Sequence, residues 1–338
     1  MTQMRRFLSI GIIGLAGLAA ATGLAACNSS PSPNGTSAAK SGTANVAYAG
    51  SLLYLDEKVI GPAFHTSSGY AFTGRGAGSL ALSQEIKSGE ITPNVFESIG
   101  AKPIEALEPK FTSWYVQFAA SPLVVAYNPK SRFAPELAAI ASGQKPIADL
   151  FTLMETHGFL LGRTDPNLDP QGQAFLEMLL LAQLDYNLPA GTVAKILGGS
   201  PLDTASSSQI FDETALEPRL EAGQLDASSA YLSQAVQLHL HYIKLPPAIS
   251  LGDPKLKAAY GRAKFKLANG MVAMGKPLAV DITTIGHTDA AAADAFVAYV
   301  LSAAGLDYFS KNGYELLKPK LTGPRSAVPA GVLSELAG

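Results

Sequence analysis

The sequence predicts an α/β protein with two lobes and mostly parallel sheets, and three observations lead to this fold class. Strand-like and helix-like segments alternate along the chain, as in parallel sheets covered by helices. Beyond residue 43 the chain has about 295 residues, more than one ordinary core contains, so two lobes are expected. Gly-Ser turns at residues 50–51 and 78–79 each follow a strand-like run, the place where open α/β sheets bind ligands.

The predicted elements follow in order along the chain. Short runs bounded by turn-forming residues predict strands over 45–48, 70–73, 123–127 and 227–231. Helices are predicted over 52–63, 80–88, 136–141, 146–156, 174–184 and 290–304, with turns and one further helix within 201–223. The chain is expected to cross between the lobes near 120–123 and to return within 244–266, where prolines interrupt the pattern. One lobe is therefore predicted to comprise 44–121 and 256–338, which includes a C-terminal tail, and the other 122–255.

The first 27 residues resemble a bacterial lipoprotein signal peptide. Arg5 and Arg6 precede an apolar stretch that ends in Leu-Ala-Ala before Cys27. Cys27 is the single cysteine of the chain, so it cannot form an intramolecular disulfide and is predicted to carry the lipid. An uncleaved membrane helix is the alternative, but the many small residues favour a signal peptide. Residues 28–43, rich in Ser, Pro and Gly, are predicted to form a flexible tether.

The composition excludes several classes of function. Lys and Arg number 25 against 27 Asp and Glu, and no basic cluster indicates nucleic acid. With 47% hydrophobic and 15% charged residues, the chain after the tether is expected to fold around a large core. The five histidines show no metal-ligand spacing. No Gly-x-Ser-x-Gly nucleophile motif occurs. The sequence therefore predicts no metal site, no cofactor and no catalytic residues.

The two Gly-Ser turns predict a site for an anion. Glycine permits a sharp turn, and serine is a favoured N-cap. The first turn of a helix leaves N–H groups unpaired and carries a partial positive charge. Two such turns facing one another can hold an anion without lysine or arginine, which makes Ser51 and Ser79 candidate ligand-binding residues. The alternative for each serine taken singly is a simple helix cap.

Two later phrases add candidates. Asp169 is placed to N-cap the helix that follows it, and the N–H of Gln171 would then point at a ligand. Asp165 belongs to the same phrase, and Asp-Pro pairs of this kind can also serve only to initiate turns. Tyr231 ends a predicted strand, where its hydroxyl could donate to a ligand or lie in the core.

Together these phrases resemble the substrate-binding lipoproteins of molybdate and tungstate ABC importers, above all the tungstate-type branch. The matching phrases extend over most of the chain after the tether, at residues 49–52, 77–80, 162–172, 225–235 and 243–251. The resemblance implies the two-lobed periplasmic-binding-protein type II fold, which closes like a clamp on an oxyanion between its lobes. It implies ligand contacts at Ser51, Ser79, Tyr231 and the segment at Gln171.

The resemblance also implies partners and a location. The expected partners are a molybdate or tungstate oxyanion and an ABC permease, to which a monomeric, non-enzymatic receptor delivers its ligand. The receptor is expected on the extracytoplasmic face of the cell membrane, anchored through lipid. A surface-anchored α/β hydrolase or transferase is an alternative, but no nucleophile–base pair is present for it. A ligand-sensing lipoprotein for another anion would share the fold and site, so the sequence does not separate it from a transport receptor.

One departure from the tungstate-type pattern concerns the ligand. Those proteins add two carboxylates that enlarge the coordination of the oxyanion. One falls in the phrase with Asp165 and Asp169, but the other precedes the tyrosine, where this chain has Ala230. The sequence therefore predicts a tetrahedral ligand and leaves molybdate, tungstate and other dianions open.

Overall fold

A computed structural model describes residues 40–199, 207–286 and 288–337. The predicted signal peptide, Cys27 and most of the predicted tether lie outside the described residues. The strands within them are β1 (Thr43–Ala49), β2 (Ala71–Ala77), β3 (Val95–Ile99), β4 (Tyr115–Ala120), β5 (Leu123–Tyr127), β6 (Leu161–Gly162), β7 (Ala227–Tyr231), β8 (His241–Lys244), β9 (Lys264–Lys266), β10 (Val272–Met274), β11 (Ala279–Thr284) and β12 (Glu315–Thr322).

The helices lie between the strands along the chain. They are α1 (Leu53–Leu55), α2 (Gly61–Ser68), α3 (Ser79–Ser88), α4 (Lys102–Glu105), α5 (Ala134–Ala141), α6 (Ala148–Met154), α7 (Pro170–Asp185), α8 (Thr192–Ile196), α9 (Glu213–Glu221), α10 (Leu232–Gln237), α11 (Pro247–Ser250), α12 (Lys257–Tyr260), α13 (Ala290–Leu301), α14 (Ala303–Lys311) and α15 (Ala330–Glu335). A 3₁₀ turn at Gly50–Leu52 precedes α1, and a π-helical turn at Asp56–Ile60 joins α1 to α2.

Two sheets organise the molecule. The first has the strand order β12-β4-β11-β3-β1-β2, and the second has the order β6-β7-β5-β8. The chain leaves the first sheet at the end of β4, Ala120, and enters the second at the start of β5, Leu123. After β8 it passes through the antiparallel pair β9–β10 and returns to the first sheet at Ala279.

Most strand pairs are antiparallel, so the prediction of mostly parallel sheets is wrong. Parallel pairing is found for β1–β2, β1–β3 and β6–β7. Strand β11 runs antiparallel to β3 and β4, β12 runs antiparallel to β4, and β5 runs antiparallel to β7 and β8. The physical reason in the first sheet is the crossing between lobes. Strands β11 and β12 begin where β3 and β4 end, as the pairs Val280–Ile99 and Glu315–Ala120 show. The alternation of strands and helices along a sequence does not show at which end of the sheet the chain enters each strand. It therefore does not show whether neighbouring strands run parallel or antiparallel.

The cores follow the predicted apolar runs. The buried helix predicted over 174–184 is confirmed by α7, which buries Phe175 and Leu179. The Ala-rich segment predicted as one helix over 290–304 is divided at Ser302, whose Oγ accepts a hydrogen bond from Gly305 N and caps α14. Phe296 of α13 packs edge-on against Phe64 of α2, with ring centroids 5.2 Å apart. This ring contact joins two helices of the first lobe.

Among the described residues, no single helix is both long and apolar enough to span a membrane. The pair α13 and α14 meets the criteria of length and composition only when the two helices are joined across a 59° bend.

Candidate functional site

Two cavities lie side by side where the lobes meet. The larger has a volume of about 690 Å³, and Gly78 of the first lobe and Asp165, Asp169 and Glu213 of the second line it. The smaller has a volume of about 330 Å³ and is lined by Gly50 and Ser51 together with residues of α9 and α10. Helix α9 contributes residues to the walls of both cavities. The candidate residues from the two lobes therefore converge around the start of this helix.

Ser51 presents two donors to the second lobe. Its backbone N–H donates to Oε1 of Glu213 at 3.0 Å. Its Oγ is buried and has no hydrogen bond of normal geometry with any described residue, although it lies near the Glu213 carboxyl. Ser51 is not a helix cap, because Ala49 occupies that position and no side chain caps this turn. The alternative interpretation of Ser51 as a cap is thus wrong.

Ser79 is held by the first lobe. Its Oγ accepts a hydrogen bond from Ile99 N at 3.1 Å, and the N-cap of α3 is Gly78 rather than Ser79. The N–H of Ala81, in the first turn of α3, donates to the Leu168 carbonyl of the second lobe at 2.9 Å. A Cβ at Gly78 would lie 2.8 Å from that carbonyl oxygen, so glycine is what permits the lobes to approach here. The donor end of α3 is therefore covered by backbone of the second lobe.

The predicted cap at Asp169 is confirmed. Its Oδ1 accepts from Gln171 N at 2.7 Å, and Pro170 is the first residue of α7. The expectation that the Gln171 N–H points at a ligand is wrong, because the cap uses this donor. Burial raises the pKa of Asp169 to about 7. Asp165 lines the larger cavity, but its Oδ1 accepts from the backbone N–H of Asn167 at 2.8 Å, as in a turn.

The Gln171 side chain joins elements of the second lobe. Its Nε2 donates to Oε1 of Gln234 at 3.0 Å and lies 3.5 Å from Oε1 of Glu213. Its Oε1 accepts from the Ser229 hydroxyl at 2.8 Å. Gln234 in turn accepts from Tyr231 N at 2.8 Å. Gln171 therefore positions the end of β7 and the start of α10 beside Glu213.

Tyr231 ends β7 with its side chain fully enclosed. The residue is 1% exposed, and its hydroxyl has no hydrogen-bond partner among the described residues. Burial, and then the carboxyls of Glu213 and Asp169, raise the pKa of Tyr231 well above its usual value. The hydroxyl accordingly stays protonated and is available as a donor.

Glu213 is the functional candidate that sequence reasoning missed. It is the first residue of α9, is 3% exposed and accepts the Ser51 N–H. A Cβ at Gly50 would lie 2.6 Å from its Oε2, so the carboxyl reaches the backbone only because residue 50 is glycine. Burial, followed by the carboxyls of Asp169 and Glu217, raises its pKa. Acidic residues are common in the first turn of solvated helices, so only its burial sets Glu213 apart.

The chemistry available here is hydrogen bonding to a small anion. In the described ranges, no group of three or more His, Cys, Asp or Glu residues is placed to hold a metal ion. The two arginines that line the larger cavity each contact another side chain. Arg75 pairs with Glu85 at 2.8 Å, and Arg219 donates to Gln224 at 2.9 Å. The donors near Glu213 that lack a partner among the described residues are the neutral hydroxyls of Ser51 and Tyr231.

Comparison with known proteins decides the family. The family of bacterial extracellular solute-binding proteins matches residues 44–315. The chain belongs to this family. Its members are solute-binding transport proteins rather than enzymes and act outside the cytoplasm. The expected class of protein is thereby confirmed.

Individual relatives of this solute-binding protein carry related names. A Haloferax volcanii protein named as a molybdenum-binding protein of an ABC transporter is 30% identical over 272 residues, which are 80% of this chain and 81% of the relative. The molybdate/tungstate-binding protein of Thermococcus kodakarensis is 27% identical over 231 residues, 64% of each chain. Among solved structures, the periplasmic molybdate-binding protein of Azotobacter vinelandii has a TM-score of 0.52 at 17% identity, over 81% of this chain and 99% of that one. This likeness confirms the predicted two-lobed periplasmic-binding-protein fold.

Proposed function

We propose that this solute-binding protein binds molybdate or tungstate between its lobes and delivers it to an ABC permease. The observation that carries the proposal is a pair of buried hydroxyls, one from each lobe. Ser51 and Tyr231 both lie beside Glu213, and neither hydroxyl has a hydrogen bond of normal geometry within the described residues. A buried hydroxyl without a partner costs roughly 1–3 kcal/mol. An oxyanion that accepts from both would recover this cost and hold the lobes together.

Neutral donors suit a receptor that must discriminate and then release its ligand. A buried cation would need a partner whenever the ligand is absent, whereas hydroxyl and amide groups carry no net charge. A ligand of the wrong size leaves some donors unpaired, at roughly 1–3 kcal/mol for each. Ser51 and Tyr231 are therefore proposed as direct contacts. Gln171 and the Asp169 cap hold the second-lobe side of the pocket, Ser79 contributes from the first lobe, and Asp165 lies on the cavity wall.

The names of the relatives support metal oxyanions as ligands, and a thermal-shift panel tests this. Molybdate, tungstate, sulfate, phosphate and small carboxylates are compared at equal ionic strength. A ligand at a hundred times its Kd adds about 2.7 kcal/mol to the free energy of unfolding. We expect molybdate and tungstate to raise the melting temperature most. If neither does so while a carboxylate or phosphate does, the protein is a receptor for a different solute.

The geometry of the bound ligand is tested separately. Because Ala230 stands at the position of one expected carboxylate, we propose that the ligand keeps four oxygens in tetrahedral geometry. X-ray absorption at the tungsten edge of the tungstate complex reports the coordination number directly. Six-coordinate tungsten would refute tetrahedral binding without affecting the proposed ligand class.

We further propose that the protein is a monomer anchored to the outer face of the membrane through a lipid on Cys27. The basic and apolar residues before Leu-Ala-Ala-Cys support this proposal. Cys27→Ala should release the protein from the membrane, which fractionation with a carbonate wash measures. A variant that stays with the membrane after the wash would indicate a spanning helix instead.

A further inference from the structure

We propose that the hairpin formed by β9 and β10, residues 264–274, is a membrane-contacting surface that rests on anionic phospholipid. The hairpin lies outside the ligand cleft, so the inference goes beyond ligand binding. It rests on the proposed function only in placing the protein at a membrane, and it adds a second membrane contact to the proposed anchor.

The first support is the outward face of the hairpin. The antiparallel register pairs Lys264 with Met274 and Lys266 with Val272. Side chains alternate between the two faces of a strand, so these four residues share one face. Met271, which directly precedes β10, is 60% exposed, Val272 is 57% exposed and Met274 is 47% exposed. Large apolar side chains that cluster in solvent indicate a surface that contacts a partner.

The second support is that the opposite face fixes the hairpin to the protein. Phe265 packs against the large hydrophobic core, and Ala273 is buried. The backbone N–H of Leu267 donates to the carbonyl of Met271 at 2.7 Å and closes the turn. The exposed apolar residues therefore belong to an element with one buried face and one outward face.

The third support is the charge of this part of the chain. Residues 254–278 include no Asp or Glu, although the whole chain has a formal net charge of −2. The exposed basic residues of this range are Lys255, Lys257, Arg262, Lys264 and Lys266. Among the ion pairs of the described residues, only Arg262 of this set is paired, with Asp185 at 2.7 Å. The lysines of the range thus present their charge to solvent beside the exposed apolar side chains.

A phospholipid surface fits this combination better than a second copy of the chain or another protein. Two copies of the face would bring their lysines together, and lysine on an edge strand opposes pairing between sheets. A protein partner is typically held by side chains that fill pockets, but no hairpin residue lines either cavity described above. A lipid interface needs no pocket. Apolar side chains enter among the head groups, while the long lysine side chains extend to the phosphates.

The hairpin also lies beside the rim of the larger cavity. The N–H of Ala268, in its turn, donates to Oδ1 of Asn167 at 3.0 Å. Asn167 belongs to the same loop as Asp165 and Leu168, both of which line that cavity. A hairpin that rests on the membrane therefore brings this rim towards the surface in which a permease would lie.

Site-directed fluorescence of the full-length protein in lipid vesicles tests the proposal. Met271→Cys is labelled with a bimane dye, and nitroxide-bearing lipids quench a dye that touches the bilayer. Leu316→Cys is the matched control, because Leu316 is also an apolar residue, 44% exposed, on the lysine-containing edge strand β12. The unsubstituted chain, treated with the same dye, gives the background from Cys27. We expect quenching at residue 271 in phosphatidylglycerol vesicles, much less in phosphatidylcholine vesicles, and none above background at residue 316.

Charge variants test the electrostatic part of the proposal. A lysine near an anionic membrane surface contributes about fivefold to binding, so replacing two lysines should lower the ratio of docked to undocked hairpin by roughly 25-fold. Lys264→Gln combined with Lys266→Gln makes this change in the labelled protein. Lys318→Gln combined with Lys320→Gln, on β12, is the matched control and should leave quenching at residue 271 unchanged. Raising the salt concentration from about 0.1 M to about 1 M shortens the Debye length from about 10 Å to about 3 Å and should also weaken docking.

Three results would overturn the proposal. Quenching at residue 271 no stronger than at residue 316 would show that the hairpin does not meet the bilayer. Equal quenching in both lipids, unaffected by the change at Lys264 and Lys266, would show an apolar contact without recognition of anionic lipid. Quenching only in vesicles that contain the membrane proteins of the host cell would assign the hairpin to a protein partner.

Molybdate binding separates this inference from the proposed function. The substituted residues line neither cavity, so the thermal shift with molybdate should be the same in every variant as in the wild type. A hairpin that fails to dock while molybdate still binds would overturn the membrane contact alone. A wild type that binds no oxyanion would remove the proposed ligand and leave the result for the hairpin standing.

Discussion

Replacing Ser51 by alanine should change stability and affinity in opposite directions. The Ser51 hydroxyl is buried without a hydrogen bond of normal geometry within the described residues, so its removal breaks none there. Burying an unpaired hydroxyl costs roughly 1–3 kcal/mol, so the free energy of unfolding should stay the same or rise by up to this amount. If the hydroxyl binds the anion, the lost hydrogen bond to a charged acceptor is worth about 1.5–3 kcal/mol. That corresponds to a loss of affinity of roughly tenfold to 150-fold.

Ser79 offers a matched control on the same lobe. Its Oγ accepts from Ile99 N inside the protein, so Ser79→Ala leaves a buried N–H unpaired. The free energy of unfolding should therefore fall by about 1–3 kcal/mol in this variant. Urea denaturation without ligand measures stability, and isothermal titration with molybdate measures affinity. The reasoning about Ser51 is refuted if Ser51→Ala is destabilised as much as Ser79→Ala, or if it binds molybdate as tightly as the wild type.

Two further predictions follow from buried groups. Tyr231→Phe removes another unpaired hydroxyl, so it should lower molybdate affinity by tenfold or more without lowering the melting temperature; a stable variant with normal affinity would place Tyr231 in the core only. Burial raises the pKa of Asp281 to about 7, well above its value near 4 in the unfolded chain. The contribution of the protonated Asp281 to stability is therefore complete below about pH 4 and is lost as the pH rises towards 7. Urea denaturation at pH 5 and pH 7 should show this loss, at up to about 1.4 kcal/mol per pH unit for the group. Asp281→Asn should reduce the difference between the two pH values, and an identical pH dependence in the variant would contradict the assignment.

Local sequence signals predicted the bounds of two short buried strands correctly. The ranges predicted for 123–127 and 227–231 are those of β5 and β7, because each run is bounded by residues that end a strand. Strand β12 was not predicted, since it carries lysines and Pro319 and most of its residues are not buried. Proline is tolerated there because β12 lies at the edge of its sheet. Edge position and strand direction depend on the whole topology, which no local pattern contains.

The candidate site was predicted in part for the same reason. Residues that share a phrase with a helix start or a strand end could be identified, and the structure places Ser51, Asp169, Gln171 and Tyr231 around one carboxyl. These sequence segments do not show which hydrogen-bond partner each polar group takes. The structure shows that a cap consumes the Gln171 N–H and that Ser79 is bonded to β3. The partner of Ser79 comes from a segment distant in sequence, whereas the cap at Asp169 is local and was predicted.

Ala230 shows most clearly why carboxylates cannot be counted by position along the chain. Its side chain belongs to an apolar cluster with Leu216 and Leu220 of α9, so residue 230 faces that helix. Residues three and four apart share a helix face, which places Glu213 on the face that also carries Leu216. Helix α9 therefore brings a carboxyl to the pocket from its own first turn, although the end of β7 has none. The packing of α9 on β7 therefore decides which carboxyl reaches Ser51, and the position of a residue along the chain does not reveal it.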